Sequence, residues 1–342
     1  MKIELPQIIT QNNIDLHPCW QKELANVITD PKQLLQMLAI DANNYQQHFQ
    51  ARKLFPVRVP RPFISRIKKG DIHDPLLQQV MPRTDEFIDA IGFSKDPLQE
   101  HDTVATGLLH KYKHRVLMIV KAGCAINCRY CFRRHFPYQD NSPNKARWQQ
   151  ALNYIRQHTE INEVIFSGGD PLMANDDHLA WLITQLEAIT HLKRLRIHTR
   201  LPVVIPQRIT TDLVSILANT PLKTTVVFHI NHANEIDTHF EQAIEPLRSA
   251  FIPLFNQSVL LKNVNNSITA LIDLSEKTFD NGIQPYYLHL LDQVQGAAHF
   301  NVSEQEAIEL YKTLMKKLPG FLLPKMVREI AGEANKTPIN LA

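Results

Sequence analysis

Residues 115–136 read RVLMIVKAGCAINCRYCFRRHF. An apolar run of strand length, RVLMIV, is followed closely by Gly123 and then by Cys124, Cys128 and Cys131 in CxxxCxxC spacing. Three of the four cysteines in the chain thus fall within eight residues, while Cys19 stands alone. Such clustering fits a disulfide framework poorly and, in a reducing compartment, reads as metal or redox chemistry. Iron–sulfur cubanes ordinarily take four cysteines, so three at close spacing leave one iron open to a small molecule. Zinc with His135 or Cys19 as fourth ligand, or a structural cluster completed by Cys19, draws on the same residues.

Downstream come EVIFSGG, LRIHTR, TTVVFHI, FIPLFNQSVLL and IQPYYLHLL. With RVLMIV they make six runs that, after a longer first gap, recur about every 30 residues, the length of a strand plus a crossover helix in a parallel sheet. A complete eight-unit barrel takes about 250 residues, whereas residues 115–330 offer roughly 215, so six or seven βα units fit and a partial, open barrel is expected. Upstream, the helical patterns WQKELANVI and PKQLLQMLAI are separated from the barrel by the proline-rich FPVRVPRPFI. This predicts an irregular, mostly helical N-terminal region over residues 1–105, with the barrel occupying 106–342.

Composition bounds the function. With 342 residues, 44% hydrophobic and 21% charged, the chain is neither disordered nor fibrous. Its 37 Lys+Arg against 34 Asp+Glu leave a formal charge of +3, which calls for neither nucleic acid nor an anionic membrane as partner. No apolar run approaches the roughly 18–20 residues of a membrane helix. Glu4 and Pro6 interrupt the place of a signal peptide, so a cytoplasmic location is expected.

Polar residues recur at the ends of the strand-like runs. SGGD, residues 167–170, closes the second run; His229 and Asn231 end the fourth, Gln257 and Ser258 lie in the fifth, and Asp292 follows the sixth. Taken singly, each reads as a satisfied core residue or a tight turn. Their recurrence at one end of a repeat predicts that they face one cavity.

CxxxCxxC after the first strand of a partial barrel is the signature of the radical S-adenosylmethionine enzymes. Through LLHKY, CRYCFRRHF, FSGGDPLM, RLPVVIPQRIT, NHANE, NQSVLL, DQVQGAAHF and KTP, roughly residues 100–340 closely resemble the lysine 2,3-aminomutase family. The resemblance is greatest to the short branch that supplies β-lysine for modifying elongation factor P. It implies an α/β fold, a partial (β/α)6-type radical SAM barrel with the mostly helical N-terminal region described above. The implied cofactors are a [4Fe-4S] cluster on Cys124, Cys128 and Cys131, S-adenosyl-L-methionine, and pyridoxal 5'-phosphate. Ser167, Gly168, Gly169 and Asp170 match the methionine end of the S-adenosylmethionine site, His229 and Gln257 join the cofactor-binding set, and Tyr130 lies near the adenine. Lys336, in GEANKTP, matches the lysine that carries pyridoxal phosphate; Tyr112 and Arg115, with Lys111, match its phosphate site.

For the substrate, the resemblance implies that Arg133 pairs in bidentate fashion with the carboxylate of L-lysine. Asp292 and Glu329 would hold its ε-ammonium, Glu329 standing where the family usually has aspartate. The implied activity is the radical conversion of L-α-lysine to β-lysine. The implied onward partners are a ligase resembling lysyl-tRNA synthetase and elongation factor P. The longer aminomutases bind zinc through a cysteine-bearing tail that this chain lacks, so no structural zinc is expected. Two other readings use the same motifs: a metal-stabilised nucleic-acid-binding module in which CRYCFRRHF supplies basic and aromatic contacts, and a radical enzyme acting on RNA or protein without pyridoxal phosphate. Lys336 discriminates, because only the aminomutase needs it.

Overall fold

Nine strands form one sheet whose spatial order follows the sequence. The computed structural model describes residues 16–101, 107–138 and 144–342, so the boundary expected between residues 105 and 106 lies outside the described residues. Strand β1 (Leu108–Tyr112) runs antiparallel to β2 (Arg115–Lys121). From β2 every neighbour is parallel: β3 (Glu163–Gly168), β4 (Arg194–Thr199), β5 (Lys223–Phe228), β6 (Leu254–Val259), β7 (Ile283–His289) and β8 (Lys325–Arg328). A final antiparallel strand, β9 (Thr337–Pro338), pairs with β8. The six runs are thus β2 to β7, and a seventh parallel strand joins them. A seventh strand is within the six or seven units expected; KMVR, at four residues, is too short to carry a periodic signal, so its place is not marked among the six runs.

Six helices make the crossovers: α1 (Lys145–Gln157), α2 (Asp176–Glu187), α3 (Thr211–Asn219), α4 (Thr238–Ser249), α5 (Ile268–Asp280) and α6 (Glu304–Met315). Each starts at a short polar residue, Asn144, Asn175, Thr210, Asp237, Ser267 or Ser303, whose side chain accepts a hydrogen bond from the backbone three residues on. That cap satisfies an otherwise orphaned N–H and contributes about 1 kcal/mol per helix. The parallel (β/α)6 arrangement of the sequence reading is therefore what forms, extended by one strand and flanked by two antiparallel ones.

Strand alternation divides each β-strand between two environments. Val164 and Phe166 of β3 and Leu195 and Ile197 of β4 are buried in the main apolar core. Their neighbours Ile165, Ser167, Arg196 and His198 line a cavity, as do Gln257 and Val259 of β6. The barrel interior is thus a lined cavity instead of layers of branched side chains.

The described N-terminal residues share the barrel's core: Trp20, Leu34, Leu35, Val59, Phe63 and Ile64 belong to the same buried cluster as Val164 and Phe166. Short helices such as Trp20–Ala25 and Pro31–Met37 and the 3-10 segment Ala42–Lys53 make up much of this region. A buried ion triad ties it to the cysteine loop. Glu86 pairs with Arg129 and Arg134, and the side chains of all three are fully buried. Removing the central charge leaves two buried cations facing each other, a loss of about 3–5 kcal/mol. Glu86→Gln is therefore expected to lower the denaturant midpoint of unfolding markedly, while Glu304→Gln, which breaks the exposed pair with Arg328, changes it by less than about 1 kcal/mol.

Candidate functional site

The cavity opens where the parallel strands end and has a volume of about 250 Å³. One water needs roughly 10–15 Å³ on that measure, so the space suits ligands of many atoms. Cys124, Cys128 and Cys131 all line it, on the loop that follows β2. Burial pushes the Cys124 thiol well up and the Cys131 thiol up to about 11, and in each the next largest push comes from a neighbouring cysteine. Thiols crowded in this way ionise only with a cation at hand, which is the donor set an iron–sulfur cluster needs. Among the described residues no three His, Cys, Asp or Glu side chains are set to hold one single metal ion. Neither proposed fourth ligand lines the cavity: Cys19 caps an N-terminal helix and contacts Gln21, and His135 bonds the Gln295 carbonyl at 3.1 Å.

The loop's position is set by close backbone packing. A Cβ on Gly169 would lie 2.4 Å from the Gly123 carbonyl oxygen, and one on Gly168, whose φ is +121°, would lie 2.5 Å from that of Lys121. The Gly169 N–H donates to Lys121 O at 2.8 Å and that of Asp170 to Gly123 O at 3.0 Å. What these glycines approach closely is therefore the start of the cysteine loop. Asp170 is buried and accepts from Thr199 Oγ1 and from the backbone N–H groups of Leu172, Arg200 and Leu201. Its carboxylate joins the ends of β3 and β4 and is filled by protein donors. Arg200 donates to Cys128 Sγ at 2.7 Å and to Glu235 Oε2 at 2.9 Å.

Of the polar residues expected to share the cavity, His229, Gln257 and Asp292 line it, as do Ser167, Gly168 and Gly169. Asn231 and Ser258 do not. Asn231 is buried in a network with Gln79 and Tyr130, and Ser258, one residue on from Gln257, faces the opposite side of β6 and meets the Tyr287 carbonyl at 3.4 Å. The Tyr130 ring lines the cavity edge-on to Phe300, while its hydroxyl is bonded within that network. Gln257 Oε1, His198 Nε2 and His289 Nε2 are buried without a protein partner, and all three residues line the cavity. Orphaned polar atoms of this kind call for a polar ligand. Burial first, then the charges of Arg200, Lys336 and Arg133, hold His229 at about 3, so the ring is neutral.

Charged side chains cross the cavity in alternating sign. Arg133 holds Glu100 through Nε at 2.6 Å and Nη2 at 3.2 Å. Lys111 Nζ lies 2.8 Å from Glu100 and 3.4 Å from Glu329, and Lys336 Nζ lies 2.6 Å from the other oxygen of Glu329. The bidentate edge of Arg133 is thus occupied by Glu100, a residue nothing in the sequence pattern marks out. Burial alone would raise the Glu329 pKa, but the Lys336 and Lys111 ammoniums hold it down at about 2. Tyr112 donates to Glu329 Oε1 at 3.2 Å, and the Arg115 guanidinium stacks 4.1 Å from the Tyr112 ring centroid. Arg196 and Tyr287, also missed by the sequence reading, complete this wall, with Lys336 Nζ 5.8 Å from the Tyr287 ring. No hydrogen bond or ion pair engages the Asp292 carboxyl among the described residues. Burial and the Glu329 charge push it up to about 7.

Residues 118–274 match the Radical SAM superfamily. The chain is 56% identical over 323 residues to the L-lysine 2,3-aminomutase of Escherichia coli (strain K12), covering 94% of each chain. It is 58% identical to that of Haemophilus influenzae, covering 93% of this chain and 94% of the other. It is also 31% identical to the glutamate 2,3-aminomutase of Clostridioides difficile, over 94% of this chain and 75% of that one. The chain belongs to the lysine 2,3-aminomutase family. It is an isomerase of the radical SAM type, and its cofactors are a [4Fe-4S] cluster, S-adenosylmethionine and pyridoxal phosphate. The residues present fit these groups: three half-buried thiols, orphaned polar atoms around the cavity, and an amine on its wall.

Two outcomes follow for the purified protein. Gly169→Ala forces the cysteine loop off the end of β3, costing about 1–3 kcal/mol, and is expected to lower both the unfolding midpoint and the iron retained per chain. Asp292 has its folded pKa raised above the ordinary aspartate value of about 3.9, so its favourable contribution is present below that value and is lost as pH rises through about 7. Asp292→Asn is therefore expected to gain stability over the parent between those values and to hold the full gain above about pH 7, as read by urea melts across pH.

Proposed function

We propose that this enzyme converts L-α-lysine to β-lysine, with Lys336 carrying pyridoxal phosphate. The observation that supports it most is the acid pair at one end of the cavity, Asp292 without a protein partner among the described residues and Glu329 with a lysine already on it. A substrate ammonium placed there would complete Asp292 and take the place of Lys336 on Glu329. A glutamate side chain would instead put a third carboxylate beside two, a strongly disfavoured contact. When bound, the cluster and S-adenosylmethionine supply a carbon-centred radical, and pyridoxal phosphate supplies the unsaturation that lets an amino group pass between neighbouring carbons.

Cys124, Cys128 and Cys131 hold the cluster; Ser167, Gly168 and Gly169 form the S-adenosylmethionine rim with His229 and Gln257, and Asp170 acts by positioning that rim. Tyr112 and Arg115 serve the pyridoxal phosphate end, where Arg115 brings a guanidinium. Arg133 faces the substrate carboxylate with the donor that Glu100, Ser167 and Gly168 leave free. The nucleic-acid reading loses its basic surface, since Arg129, Arg133 and Arg134 are all buried. The product's destination, a ligase and elongation factor P, is supported by the branch resemblance alone.

Supplied anaerobically with its three cofactors and a reductant, the enzyme is expected to turn lysine, and not glutamate, into its β-isomer, read by chromatography of derivatised amino acids. Lys336→Arg is expected to abolish both turnover and the pyridoxyl label left by borohydride, with iron content unchanged; a label surviving in that variant overturns the assignment of Lys336. With the ligase and elongation factor P added, the factor is expected to gain the mass of one β-lysyl group.

A further inference from the structure

Glu100 comes from the N-terminal region, yet its side chain is 5% exposed and meets two cations, Arg133, which lines the cavity, and Lys111, which does not. It accepts from Arg133 Nε at 2.6 Å and Nη2 at 3.2 Å, and it pairs with Lys111 Nζ at 2.8 Å. Arg133 Nη1 donates to Ser167 Oγ at 3.0 Å and lies 3.4 Å from the Gly168 carbonyl. A guanidinium has five N–H donors, and these four contacts leave one, on Nη2. The guanidinium is therefore locked in orientation from both sides.

We infer that Glu100 is the positioning residue of the substrate's carboxylate subsite: it aims Arg133 and, paired with Lys111 as well, trims the joint charge of the two to that of one cation. Two positive groups and one negative group sum to one positive charge, matched to a single carboxylate. The remaining Nη2 N–H is what an α-carboxylate would meet, while Lys111, which does not itself line the cavity, adds its charge through Glu100. This rests on the reading of Arg133 as the carboxylate partner and assigns a role to a residue that does not itself touch substrate. A buried acid that served only to neutralise Arg133 would have no need of Lys111, which also reaches Glu329.

The test compares lysine with lysinamide, which keeps both amino groups and lacks the carboxylate, on the enzyme loaded with its three cofactors. Glu100→Gln keeps the shape and removes the charge. Expected for lysine is a KM raised about 10- to 100-fold, the range of a lost charge-assisted hydrogen bond, with kcat changed much less. The inhibition constant of lysinamide should stay within about 3-fold of the parent's, on the scatter expected for a non-interacting change. Glu100→Asp, with the charge drawn back by a methylene, is expected to give a smaller loss of the same selective kind, and it serves alone should the glutamine variant not fold. Equal losses for lysine and lysinamide, or no loss for either, would mean that Glu100 is only structural and overturn the proposal. Tighter lysine binding in Glu100→Gln would make Glu100 a competitor for Arg133, which also overturns it. A parent enzyme that binds lysine and lysinamide alike removes the Arg133 reading and the proposal with it, whereas a parent and variant that discriminate equally remove the proposal alone.

Discussion

Five charged side chains alternate in sign at the cavity, in the order Arg133, Glu100, Lys111, Glu329 and Lys336, all but Lys111 lining it. An isolated buried charge is costly, and a pair is tolerable only when geometry and hydrogen bonds are good on both sides. The five come from four separate parts of the chain: the cysteine loop, the N-terminal region, β1, and the segment around β8 and β9. None of these parts can bring its charge into the cavity ahead of the others without leaving an ion unpaired. The two antiparallel strands make sense on this ground. Pairing of Arg328 with Thr337 across β8 and β9 sets Glu329 and Lys336 opposite each other at the next step of the ladder, and β1 carries Lys111 and Tyr112 to meet them.

The cysteine loop is held by two contacts of different physical kind. At its start, glycine packs on glycine, with backbone so close that no side chain fits between Gly123 and Gly169. On either side of its last cysteine, the Glu86 triad pins Arg129 and Arg134 from the N-terminal side, and Arg129 N–H donates to Gln79 O at 2.8 Å. The first contact fixes the loop to the strand that also carries Ser167, so the positions assigned to the cluster and to the methionine end move as one body. The second makes the N-terminal region part of the site, through Gln79 and Glu100 as well as through the shared core.

Much of this was legible in the sequence because it rests on local pattern. Strand runs at a steady spacing mark β2 to β7, and CxxxCxxC marks the loop between the first two. What stayed hidden depends on which way a side chain turns or on contacts between distant segments. Gln257 and Ser258 are adjacent and equally polar, and only the pleat of β6 decides that one faces the cavity and the other the helices. His198 and His289 sit in apolar strands and read as core residues until their unpartnered nitrogens are seen. Glu100 carries no local signal, since its partners lie 11 and 33 residues away in sequence. The arginines of CRYCFRRHF look like a basic patch in sequence, and burial against Glu86 and Glu100 turns them into structural and site residues.

The ion pairs around the cavity are of the same chemical type as those an amino acid with a cationic side chain would make. Lys336 on Glu329 is an ammonium on a carboxylate, and Glu100 on Arg133 is a carboxylate on a guanidinium. Groups already oriented by such pairs need little reorganisation when the ligand arrives, so less of the interaction is lost to ordering. The two ends nevertheless differ. On the proposed assignment Lys336 would leave Glu329 to carry its cofactor, freeing the oxygen it holds while Lys111 and Tyr112 stay on the other, whereas Glu100 stays with Arg133 and Lys111. Asp292, pushed up to about 7, adds to the asymmetry: burial and the Glu329 charge outweigh the Lys336 and Lys111 ammoniums, and a substrate ammonium placed beside it, as proposed, would favour its charged form. The acidic end would thus gain charge as a cation comes to meet it, while the basic end keeps its charge throughout.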